Sequence, residues 1–84
     1  MNRQKNYGLI PLVKRSNSRS YNVYFNPHNI AFISPLTEKG EINIHFSGDP
    51  KSLDIQGISE EDRNAFVDKW KKALVSRERF NAYQ

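Results

Sequence analysis

The chain has 84 residues, no cysteine and a hydrophobic share of 37 %. That limits it to one small domain and excludes disulfides, thiolate metal sites and cysteine nucleophiles. The net charge of +4 is partitioned: residues 1–37 hold Arg3, Lys5, Lys14, Arg15 and Arg19 with no acid, residues 38–62 hold seven acids against Lys39 and Lys51, and residues 63–84 are basic again. Charge in blocks orients a partner, whereas evenly spread charge speaks mainly to solubility.

Aromatic residues make up 12 % of the chain. At roughly 150–250 Å² buried apiece they are expected to offset the low hydrophobic share. No apolar run approaches the ~18 residues of a membrane span. Leu9–Val13, broken by Pro11, is too short for a signal-peptide core. A cytoplasmic setting with no membrane partner is expected. Residues 1–6 are expected to be flexible, and 7–84 to form a single α+β domain.

In chain order, residues 7–14 predict a strand, placed at a sheet edge because Pro11 has no N–H to donate to a ladder. Arg15–Arg19 predicts a polar loop projecting as a hairpin tip. Tyr21, Val23 and Phe25 alternate with Asn22 and Tyr24, which predicts a half-buried strand over 20–26. Asn26-Pro27-His28-Asn29 reads as a turn. A short apolar strand follows over 30–35, then a loop at Thr37–Gly40. Ile42, Ile44 and Phe46 give the cleanest alternation, over 41–47. A fifth strand is expected over 52–56, closed by Gly57. Ser59, followed by Glu60, Glu61 and Asp62, marks a helix start. Phe66, Trp70, Ala73, Leu74 and Arg77 then recur at helical spacing over 59–82. The pattern predicts a small antiparallel sheet or open barrel of four to five strands packed by one C-terminal helix.

No catalytic signature is present. The glycines are isolated, so no P-loop or dinucleotide fingerprint exists. Glu60, Glu61 and Asp62 would repel a phosphate from the helix start. His45 shares a strand face with Glu41 and Asn43, which reads as a solvated face rather than a metal or base site. No enzyme activity, cofactor or metal is expected.

Two binding functions remain. Lys14, Arg15 and Arg19 with Tyr24, together with Lys71 and Lys72, have the composition of a nucleic-acid contact: cations release counterions from phosphate and tyrosine stacks on bases. The alternative is a protein adaptor or inhibitor, for example phage- or plasmid-encoded, acting through an edge strand and the bipolar surface. Arg77, Arg79, Phe80 and Tyr83 would then anchor a protein interface, and a homodimer is a related possibility. The discriminator is placement. Arg15–Arg19 lying beside Lys69–Lys72 favours nucleic acid, and opposite placement favours the adaptor. Reversing Arg15 and Arg19 to Glu is expected to abolish nucleic-acid binding with little effect on melting.

Asn26, Pro27, Ile30 and Ile33, with Ile42 and Ile44 in the following strand, resemble the small flagellar-operon FlbD family. The resemblance covers about residues 20–75. It implies a strand, a turn, a hairpin and a C-terminal helix, and it carries no catalytic residues. The extra first strand and the long basic helix end depart from the family pattern.

Overall fold

The computed structural model describes residues 8–82, with side chains described as far as Val75. The frayed segment expected at 1–6 lies outside the described residues. The order is β1 (Ile10–Ser16), β2 (Arg19–Phe25), a 3₁₀ turn (Pro27–Asn29), β3 (Ile30–Ile33), β4 (Ile42–Phe46), β5 (Ser52–Ile55) and α1 (Glu60–Ala82). The strands form two antiparallel sheets, β1-β2 and β3-β4-β5, and the fold is a small α+β domain.

The polar loop expected over Arg15–Arg19 is in fact a two-residue turn. Asn17 and Ser18 adopt positive φ (51° and 67°), which suits the right-handed twist of the flanking strands. Arg15, Ser16 and Arg19 therefore belong to the ladder. β1 correspondingly starts later than expected, beyond Gly8 at φ 87°.

Register sets the faces. Ile10 pairs with Phe25, Leu12 with Val23 and Lys14 with Tyr21, so these side chains share the core-facing side. Pro11, Val13 and Arg15 lie on the other side, opposite Tyr24, Asn22 and Ser20. A two-residue turn makes Ser16 and Arg19 a hydrogen-bonded pair. Alternation then turns the main-chain groups of Pro11, Val13 and Arg15 away from β2. Arg15 uses that freedom to donate its N–H to the Gly57 carbonyl at 2.8 Å. Pro11 is tolerated for the same reason, because its missing N–H faces away from the ladder.

In the second sheet Ile42 and Ile44 are fully buried. β3 is shorter than expected. Past Ile33 the Ser34 N–H still donates to Asn43 O at 2.9 Å, but the Asn43 N–H is accepted by the Ser34 hydroxyl at 2.9 Å, so a side-chain oxygen replaces the main-chain acceptor there. The segment leaving β5 crosses back between the sheets: Gly57 meets Arg15, and Ile58 N–H donates to Gly40 O at 3.0 Å.

Ser59 caps α1, accepting the Asp62 N–H at 3.1 Å. Phe66, 1 % exposed, meets Phe25 edge-on with ring centroids 5.5 Å apart. Its burial contributes roughly 1.5–3 kcal/mol. One turn later Trp70 donates its indole N–H to Pro27 O at 3.1 Å. The Phe66/Trp70 stripe thus covers the joint between the two sheets, with Ile10, Leu12, Phe25, Ile30 and Ile58 in the same core.

Candidate interaction surface

The residues expected to bind nucleic acid are scattered, and several are engaged within the chain. Lys14 donates its amine to Gln56 O at 2.7 Å. The Arg15 guanidinium bonds to Asp62 Oδ2 at 2.9 Å and to Ser20 Oγ at 3.1 Å. Arg15 holds the Asp62 carboxyl below its ordinary value of 3.8, against an upward push from burial, with Ser59 adding a smaller lowering. Lys72 pairs with Asp68 at 3.1 Å along the exposed helix face. Such a pair contributes little, because both partners stay in water. Arg19, Lys69 and Lys71 are exposed and make no ion pair among the described residues. Tyr24 is 44 % exposed on the face away from the core.

The two basic blocks do not converge. Arg15 and Arg19 stand at the hairpin tip, beside Asp62 and the acidic first turn of α1. The Lys69–Lys72 stretch lies beyond, around Trp70, which touches Pro27 at the far end of the hairpin. The hairpin spans six steps from the Ile10–Phe25 pair to the Ser16–Arg19 pair, about 20 Å at the antiparallel rise. The side chains of Arg77, Arg79 and Phe80, and the whole of Tyr83, lie outside the described residues.

His45 tilts against Phe32 with ring centroids 5.7 Å apart. Among the described residues, no three metal-ligating side chains cluster. A groove of about 370 Å³ opens between Lys14, Val23 and the Leu53–Gln56 segment. In it Leu53 stays 43 % exposed although it neighbours buried Ile44.

The sheet edges differ more than the charges do. The outer side of β1 carries Pro11, gives its Arg15 amide to Gly57, and belongs to a strand against which α1 packs. β3 has four residues and a register shift between Ile30 and Phe32. β5 has four residues, contains Asp54 and follows Pro50 and Lys51. Short length, charge, proline and bulges are the devices that stop an edge from recruiting another strand. β2 has only one of them, the charge of Arg19 at its tip end. It runs for seven residues, and Ser20–Phe25 contains neither a charge nor a proline. By alternation its Ser20, Asn22 and Tyr24 amides point away from β1. Among the described residues they meet no backbone acceptor. Pro11 points to residues 7–14 as the pairing edge when the sequence is read alone. In the fold that proline protects β1, and the unprotected edge is β2.

Comparison with protein-family models, with curated proteins and with solved structures finds no match. Among the described residues, no helix is long and apolar enough to cross a membrane.

Proposed function

We propose that this chain is a non-catalytic protein-interaction module that binds an extended segment of a partner along the outer edge of β2. The observation that carries this reading is the open edge of β2, free of charge and proline over Ser20–Phe25, in a domain whose other edges are short, charged, bulged or covered. In strand addition, main-chain hydrogen bonds give affinity and alternate side chains give selectivity. Tyr24 and Asn22 would present one row to the partner, and Tyr21 and Val23 the other. The separation of the tip cations from the helix cations favours the adaptor over a continuous phosphate track. The lack of cysteine suits a cytosolic setting.

The second reading is nucleic-acid binding by Arg19, Tyr24 and the helix cations. It draws on the exposure of Tyr24 and the unpaired state of Arg19 among the described residues. The Arg15–Asp62 pair weighs against it, since it sets an acid beside the tip.

Selection from a random-peptide display library against the immobilised protein separates the two. Peptides of high β propensity are expected, and Asn22→Pro should abolish their binding by removing one outward N–H. Peptides indifferent to Asn22→Pro would overturn the edge reading. So would an empty selection combined with salt-dependent binding of labelled single-stranded DNA.

A further inference from the structure

We infer that the β2 edge is self-complementary and that, in the isolated protein, a second copy of this chain occupies it. This inference rests on the edge reading above and supplies an occupant that would compete with any other partner.

A closed pair of identical strands needs a two-fold axis, which makes the pairing antiparallel. The outward amides belong to Ser20, Asn22 and Tyr24, so a hydrogen-bonded register centres on Asn22. Asn22 then faces Asn22 of the second copy, Ser20 faces Tyr24, Tyr21 faces Val23 and Arg19 faces Phe25. No charge faces a like charge, which is the arrangement that would oppose pairing most strongly. The two Arg19 residues end six steps apart, about 20 Å along the strands. That exceeds two Debye lengths at physiological salt, ~8 Å each. Repulsion between the two Arg19 charges is therefore largely screened in this register.

The same register covers apolar surface that the monomer exposes. Tyr21 is 45 % exposed on the core-facing side of the hairpin. Beside Val23 of the second copy, it extends the row Leu12–Val23 across the junction. Tyr24, exposed on the opposite side, lies over Ser20 in both halves. The result is a four-stranded sheet, β1-β2-β2-β1, whose new outer edges are the two β1 strands, each already carrying Pro11 and bonded to Gly57. Dimerisation thus removes the unprotected edges and creates none. An interface of one strand pair falls below the ~1,200 Å² of stable complexes, so the association is weak and reversible.

Sedimentation equilibrium of the full chain from about 10 μM to 0.5 mM, spanning the weak, transient class of interface, tests this with charge-swapped variants. The wild type is expected to show a reversible monomer–dimer equilibrium. Asn22→Lys and Asn22→Asp each place like charges on the two-fold axis. Each alone should weaken dimerisation at least about tenfold, since directly opposed like charges cost several kcal/mol at an interface. An equimolar mixture should recover a dimer. Asn22 is exposed, so both variants should keep the wild-type circular dichroism. A wild type that stays monomeric throughout would overturn the inference, as would a dimer indifferent to both variants or a mixture that does not pair. The edge reading is judged separately by the sensitivity of displayed peptides to Asn22→Pro. A monomeric protein that binds such peptides fails only the self-pairing inference, and one that binds none fails both.

Discussion

The Arg15 amide donates to the Gly57 carbonyl at 2.8 Å, and this bond ties the hairpin of one sheet to the segment leaving the other. Gly57 holds φ 80°, and a Cβ there would run into the Arg15 carbonyl oxygen. The contact is backbone against backbone, so no side chain can yield to relieve it.

Gly57→Ala should therefore destabilise by about 3 kcal/mol, adding a steric clash to left-handed strain. Gly48 is the matched control, with φ 77° and open space within 4 Å of where an added methyl would stand. Gly48→Ala should cost only the strain, about 1–2 kcal/mol. Thermal melts of the two variants check this. Equal losses would mean that the Arg15–Gly57 approach does not hold the sheets together.

Arg15 and Arg19 should separate in stability. Arg15→Glu faces Asp62 with a like charge and loses the bond to Ser20. It should lower the melting temperature by several degrees, at ~4–8 °C per kcal/mol for a domain of this size. Arg19→Glu removes no contact among the described residues, so its stability should stay within about 0.5 kcal/mol of wild type. The Arg15–Asp62 and Arg15–Ser20 bonds weigh against the expectation that both arginines are dispensable to folding, since the tip is a tight turn against α1 and not a projecting loop.

The Arg15–Asp62 pair also sets a pH dependence. The folded-state pKa of Asp62 lies below its ordinary 3.8. A depressed carboxyl contributes stability that is present above the unfolded value and lost as pH falls through the folded one. Asp62→Asn should melt below wild type at neutral pH, by about 0.5–1 kcal/mol given the solvent exposure of Arg15. The gap should stay constant down to about pH 5 and close below pH 4. Melts across that range check it, and a gap that widens on acidification would contradict the assignment.

Trp70 reaches across the joint to Pro27 O at 3.1 Å. Trp70→Phe keeps an aromatic ring on the stripe but leaves that carbonyl without its donor. A loss of about 1 kcal/mol is expected for the hydrogen bond, with some further loss from the smaller ring. Calorimetry on Trp70→Phe measures it. A loss several times larger would mean that indole packing, rather than the bond, fixes α1 on the 3₁₀ turn.

Much of the fold is legible where one residue spacing carries one signal. The alternation of Ile42, Ile44 and Phe46 marks β4, and Ser59 with its following acids marks the start of α1. The helical spacing of Phe66 and Trp70 marks the core stripe. The tip differs from its expected form because Asn17 and Ser18 are ordinary loop residues, and only the paired strands force both into positive φ. The Arg15–Asp62 bond joins residues 47 apart in the chain, so no local pattern announces it. The open edge of β2 is likewise a tertiary fact. The run Ser20–Phe25 without charge or proline is visible in the sequence, but which side of it stays unpaired depends on where β1, Gly57 and α1 lie.

The most direct test of the central claim is backbone amide hydrogen exchange, read residue by residue, at a concentration low enough for the monomer. The Tyr21 and Val23 amides face β1 and should be protected. Those of Ser20, Asn22 and Tyr24 face outward and should exchange near the rate of an open chain. Outward amides as slow as the inward ones in the monomer would show the edge already paired within the chain, and would contradict the account.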